Sequence, residues 1–244
     1  MKSILKTLGM SALTAVIIFS MATCDLEKDD DTDGPTNYTG AFKINKEQVW
    51  EGTTSNKLSE VYKKFDGERG ISINDYWTEG DGKYNPTKVL GEGIIEKGRL
   101  SCDIPVPVED DLMDWDNFKF EFSEWKDIKC VPKVKGTYLR LVTSENEWLN
   151  REKISGSDDS VWLESIWFLY VDNDCHITGT PSDGTRPGDA FFKTSDLDLI
   201  LKKGWNTICL KQLLKGNYGI EMDTMQIKNP NDFKWVLRTV HPKY

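Results

Sequence analysis

Apolar residues recur at every second position in short stretches separated by turn-forming residues, and this alternation limits the chain to a β-rich fold. Leu197, Leu199 and Leu201 alternate with Asp198 and Ile200, and Phe118, Phe120 and Phe122 alternate with Lys119, Glu121 and Ser123. Residues 41–50 and 138–143 read as strands, and residues 93–104 as a hairpin turning at Lys97-Gly98. Residues 161–177 read as one long strand, apolar on both faces between Trp167 and Val171 as a central strand would be. The chain then turns at Lys202-Lys203-Gly204 into a strand over 205–210, and residues 233–240 close the fold. One segment breaks the pattern. Leu58, Val61, Tyr62 and Phe65 recur at helical spacing behind a Thr54 or Ser55 cap, which predicts one short helix over 54–65. Residues 71–86, rich in Gly, Asp and aromatic side chains, read as a loop between strands. Short strands with turns between them predict a mostly β fold, an antiparallel β-sandwich with one short helix. It forms either one unit or two immunoglobulin- or transthyretin-like halves divided near residues 132–160.

The N-terminus has a separate character. Lys2 and Lys6 precede an uncharged apolar run over residues 8–22, too short for a comfortable membrane span and of signal-peptide length. The run ends in Ser20-Met21-Ala22-Thr23-Cys24, which resembles the bacterial lipobox. That resemblance implies cleavage after residue 23 and a diacylated, palmitate-bearing Cys24 as the membrane anchor, since two or more acyl chains hold a protein stably. Residues 24–40 read as a tether, since the stretch after Cys24 is acidic, closes with Gly34 and Pro35, and lacks the apolar surface to fold. Asp29, Asp31, Asp33 and Gly34 echo the start of a calcium loop, but Gly40 occupies the twelfth position, where a bidentate Glu is required. Acidic residues after a lipidated cysteine resemble the surface-export signal of Bacteroidetes lipoproteins, which implies display on the cell surface or outer membrane. Residues 41–244 form the predicted ectodomain.

Charge narrows the partners. The whole chain carries a formal −9, and loss of Lys2 and Lys6 with residues 1–23 takes it to −11. With no Lys/Arg cluster to offset that field, a nucleic-acid partner is not expected. Cys102, Cys130, Cys175 and Cys209 remain beyond Cys24, and three disulfide connectivities stay open, as do four buried thiols. The alternation puts Cys175 on the face of Trp167, Leu169, Val171 and Ile177. No CxxC pair exists, so neither a zinc site nor thioredoxin chemistry is indicated, and no cofactor is expected.

Catalytic patterns are sparse. His176, flanked by Asp172 and Asp174, reads as a solvated strand end, and His241 sits among the last residues. Nucleophile-elbow, metalloprotease and phosphate-loop patterns are absent. The acidic groups Glu109-Asp110-Asp111 and Asp158-Asp159 read as solvated loop charge, although a carbohydrate-active hydrolase using paired carboxylates is the alternative reading. Binding has better support. The chain has nine tryptophans, an unusual number; most read as core and edge positions of the sandwich, and some as exposed platforms for stacking sugars. Tyr76, Trp77 and Tyr84 lie beside Asn74, Asp75, Glu79, Asp81 and Asn85, where aromatic faces and polar neighbours suit a sugar. The expectation is a non-enzymatic binding or adhesion module for a glycan or host ligand.

Three stretches, residues 93–101 (GIIEKGRLS), 167–179 (WFLYVDNDCHITG) and 199–206 (LILKKGWN), together with Lys234-Trp235-Val236-Leu237, are similar to exported lipoproteins of treponemes and Bacteroidetes. The resemblance covers roughly residues 90–240. It implies a membrane-displayed β-sandwich and names no substrate.

Overall fold

The computed structural model describes residues 37–52, 62–76, 88–118, 125–145, 147–157, 160–181, 193–214 and 220–239. The first strands in chain order are β1 (Asn37–Tyr38), β2 (Phe42–Gly52), β3 (Tyr62–Lys64), β4 (Arg69–Tyr76), β5 (Val89–Glu96) and β6 (Arg99–Ile104). After β7 (Met113–Asp114) and the four-residue helix α1 (Trp115–Phe118) come β8 (Trp125–Val131), β9 (Lys135–Thr143), β10 (Glu147–Ser157) and β11 (Ser160–Val171). The last are β12 (Cys175–Pro181), β13 (Lys193–Thr194), β14 (Leu197–Leu201), β15 (Gly204–Leu214), β16 (Ile220–Ile227) and β17 (Lys234–Thr239).

The fold is mostly β, but it is a barrel and neither a sandwich nor a pair of immunoglobulin- or transthyretin-like halves. Eight strands close on themselves in the order β9, β4, β5, β6, β2, β17, β10, β11 and back to β9. Two joints account for the closure. β17, at the end of the chain, lies parallel to β2, near its start, with Trp235 opposite Val49 and Leu237 opposite Glu51. β9 pairs with β4 on one edge and with both β10 and β11 on the other. A closed sheet of this kind has no free edge. Beyond the barrel, β11 continues laterally into β15, β16 and β13.

Alternation along β11 builds two cores. Ile166, Phe168 and Tyr170 point into the barrel, where Ile73, Ile95, Leu100, Leu149, Trp205 and Trp235 pack around them. Leu169 and Val171 point the other way, into a second core. A three-stranded sheet, in the order β14, β12, β8, covers that core with Leu197, Leu199, Leu201, Cys175, Ile177 and Cys130. The shared face predicted for Cys175, Trp167, Leu169, Val171 and Ile177 is present, with Trp167 partly buried against the cluster. The chain nevertheless turns at 172–174 instead of running straight through. Asp172 accepts the Lys135 N–H at 2.9 Å and Asp174 accepts that of Lys203 at 2.9 Å, so both carboxylates near His176 shape turns.

The hairpin at Lys97-Gly98 joins β5 to β6 as expected. Both turn residues have positive φ, 49° and 70°, the left-handed pair that a tight two-residue hairpin uses. The helix predicted over 54–65 is overturned where it is described: Tyr62 to Lys64 form β3, pairing with Trp50 to Gly52, and Phe65 enters the barrel core. Cross-strand pairing and burial outweigh a helical spacing that only four apolar residues supported. The loop predicted over 71–86 is also overturned in its first part. Ile71 and Ile73 are buried alternate residues of β4, which runs to Tyr76. The predicted strand at Phe118, Phe120 and Phe122 has only its first residue described, and that residue ends α1; 119–124 lie outside the described residues.

Candidate ligand-binding site at a three-strand junction

The barrel wall opens where β9 meets β10 and β11. The β9–β10 ladder stops at Leu141 opposite Leu149, and the β9–β11 ladder stops at Leu139 opposite Phe168. The β10–β11 ladder stops at Arg151 opposite Ile166. Arg140, Asn150 and Trp167 are therefore left at the corners of a triangle, where no strand ladder joins any two of them. Each is still held on its outer edge, Arg140 by Asn74, Asn150 by Val236 and Trp167 by Ile208. One strand dividing its edge between two partners thus produces a window framed by rigid strands.

A cavity of about 330 Å³ occupies this window. Its size falls at the small end of the roughly 300–1,000 Å³ typical of small-molecule sites. The barrel-core side chains Leu141, Leu149, Ile166, Phe168 and Trp235 line it, together with Tyr138, Leu139, Arg140, Trp148, Asn150, Arg151, Ser165 and Trp167. Aromatic geometry dominates. Tyr138 and Trp167 meet edge to face at 6.0 Å, and Phe168 stacks on Trp235 at 6.1 Å. The stack continues inward through Phe42 to Tyr38. The guanidinium of Arg140 lies 3.8 Å from the Trp148 ring centre, a close cation–π contact.

The polar groups are oriented by partners outside the cavity. Arg151, with its side chain only 11% exposed, pairs with Glu47 at 3.3 Å and donates its Nε–H to the Pro230 carbonyl at 3.1 Å. Glu47 also accepts the indole N–H of Trp235 at 2.9 Å. Asn150 donates to Glu152, which is itself held by Arg238 at 2.6 Å. The hydroxyl of nearby Tyr38 is pushed above its ordinary range by burial, with Arg151 acting against the shift and Glu47 for it. Such a lining can stack on a flat apolar face and hydrogen-bond its polar edge.

The candidate binding residues read from the sequence are a different set. Of Tyr76, Trp77 and Tyr84, the backbone of Tyr76 ends β4 opposite Tyr138, one of the cavity-lining residues. Trp77 and Tyr84 lie outside the described residues, as does Cys24. Asp75 and Lys88, at the two ends of the intervening segment, bond to each other through N–H to carbonyl at 3.2 Å and N–H to carboxylate at 2.8 Å. Arg140, Trp148, Asn150 and Arg151 had no local signature. Their common position follows from where three ladders stop, and only the abundance of tryptophan hinted at it. Of the acidic groups, Asp111 is buried and bonds to Lys88, Glu109 pairs with Lys135, and Asp158 and Asp159 are outside the described residues. His176 lies on the exposed face of β12 against Asp198. Among the described residues no group of three His, Cys, Asp or Glu side chains is placed to hold a metal.

Fold and site together define a closed β-barrel with an aromatic, arginine-bearing pocket in its wall. No protein-family model, curated protein or solved structure matches the chain.

Proposed function

We propose that this protein is a lipid-anchored lipoprotein of the cell envelope, displayed outward, whose barrel is a non-enzymatic binding module for a glycan or similarly sized ligand. The observation that carries the binding reading is the junction cavity, with Trp148, Trp167 and Tyr138 around it and Arg140, Arg151 and Asn150 supplying donors. The buried carboxylates Asp111, Glu152 and Glu164 are each engaged in an ion pair, with Lys88, Arg238 and Lys228 respectively, which supports a structural role for them and binding over hydrolysis. The anchor rests on the signal-like residues 1–23, the lipobox-like approach to Cys24 and the acidic segment after it.

A screen of neutral and acidic oligosaccharides against the protein and its Trp148→Ala variant, with reducing-sugar release assayed in parallel, tests the reading. The expected result is binding that weakens at least ~10-fold in the variant, the loss of about 1.4 kcal/mol or more that a stacked aromatic supplies, with no sugar released. Release of reducing sugar by the protein overturns the module in favour of a hydrolase, and binding indifferent to Trp148 removes the ligand from the junction.

A further inference from the structure

We propose that Cys130 and Cys175 form a disulfide in the exported protein, while Cys102 and Cys209 keep their thiols. The assignment rests on the export reading above and is independent of the ligand site.

Register brings the two sulfurs together. On the β8–β12 ladder Cys130 stands opposite Ile177 and Val131 opposite His176, which makes Cys175 the diagonal neighbour of Cys130. Both side chains enter the second core, at 6% and 5% exposure. Inside it the Cys130 thiol donates to the Pro132 carbonyl at 3.2 Å, and the two thiols are close enough to shift one another, Cys130 down and Cys175 up. Closing the ~2.05 Å bond draws the end of β8 toward β12, since diagonal positions on neighbouring strands stand roughly 7–8 Å apart.

The other two cysteines have no such neighbour. Cys102 is opposite Ile44 on one side and Gly93 on the other, and Cys209 is opposite Ile166 and Gln226. Both lie in the barrel core, where burial pushes each thiol up to about 12.

The oxidation is a thiol–disulfide exchange. One of the two sulfurs, as thiolate, displaces one thiolate from the disulfide of an oxidant such as oxidised glutathione, giving a mixed disulfide. The other sulfur, losing its proton, then attacks that cysteine sulfur and releases the second thiolate of the oxidant. Two electrons pass to the oxidant, whose two sulfurs leave as thiols carrying the two protons. Burial of the pair sets the order of events, with exchange preceding closure of the three-stranded sheet over its core.

Two arms test the proposal. In the first, the full chain is expressed with its own leader in a bacterium with an oxidising envelope. It is then acid-quenched, unfolded and alkylated with N-ethylmaleimide before and after reduction. In the second, the Cys24→Ser chain is made in a reducing cytosol, unfolded, and refolded in a glutathione buffer containing the oxidised form. Both arms should show two labels before reduction, on Cys102 and Cys209, four after it, and a cross-linked peptide joining Cys130 to Cys175. Four labels before reduction in the refolded chain, or a link through Cys102 or Cys209 in either arm, overturn the pairing. Pairing on refolding but four labels in the chain made with its leader leaves the geometry standing and overturns the exported disulfide, and with it the compartment inferred from the leader.

Discussion

Trp205 is fully buried in the barrel, meets Tyr170 edge-on at 5.4 Å and Phe42 at 6.4 Å, and donates its indole N–H to the Pro105 carbonyl at 3.0 Å. Truncation removes the packing, opens a cavity and orphans a carbonyl. Trp205→Ala should therefore cost about 3–5 kcal/mol, read from the shift in a urea unfolding midpoint. Charge at the same scale produces a pH signature. The Glu164 side chain is 6% exposed and held by Lys228, with Lys211 at 4.0 Å. Burial alone would raise its carboxyl, but the Lys228 hydrogen bond and the surrounding lysine charges win, so it lies below its ordinary value of 4.5. A carboxylate depressed in the folded state contributes stability that is fully present above the unfolded value and is lost as pH falls through the folded one. Glu164→Gln should thus cost about 1.5–3 kcal/mol near neutral pH. The difference between variant and parent should shrink below about pH 4.5 in unfolding curves taken across an acid series. A constant difference down to pH 2–3 contradicts the assignment.

At the scale of single elements, the β5–β6 hairpin is the most local device in the fold. Gly98 has φ of 70°, and a Cβ there would come within 2.0 Å of the Phe65 carbonyl oxygen. Gly98→Ala should destabilise by more than ~1 kcal/mol in chemical denaturation, whereas Lys97→Asn, at a φ of 49°, should be neutral or stabilising. This hairpin was legible because its information sits in two adjacent turn residues. So were the alternating strand over Leu197–Leu201, whose buried face matches the sequence pattern, and the strand over 205–210, which lies within β15 and is buried on both faces through Cys209. The Tyr62–Lys64 strand was not. Tyr62 and Phe65 fit a helical stripe equally well, and only the partner β2 decides between the two. The first part of β4 was hidden differently, because Gly, Asp and aromatic residues beyond it lent the whole stretch a loop-like composition. Nothing local marks Arg140, Asn150 and Trp167 as neighbours either, since each belongs to an ordinary strand and the window appears only where three registers diverge.

For the whole molecule the decisive contact joins sequence ends. The parallel pairing of β17 with β2 turns an open sheet into a barrel, and a link so distant in sequence leaves no trace in composition or periodicity. Short alternating strands fit sandwich and barrel alike, which is why the class was readable and the architecture was not. Closure also creates a candidate site that the sequence did not suggest. In a sandwich the Gly/Asp-rich loop would be the natural place for a ligand, whereas the barrel creates a framed opening in its wall. The most direct measurement is amide chemical-shift mapping of the folded protein against an oligosaccharide that binds in the screen. The account predicts perturbations concentrated at Arg140, Asn150, Arg151 and Trp167 and at the Trp148 indole. Shifts confined to residues 77–87, with the β9–β10–β11 junction unmoved, would contradict it.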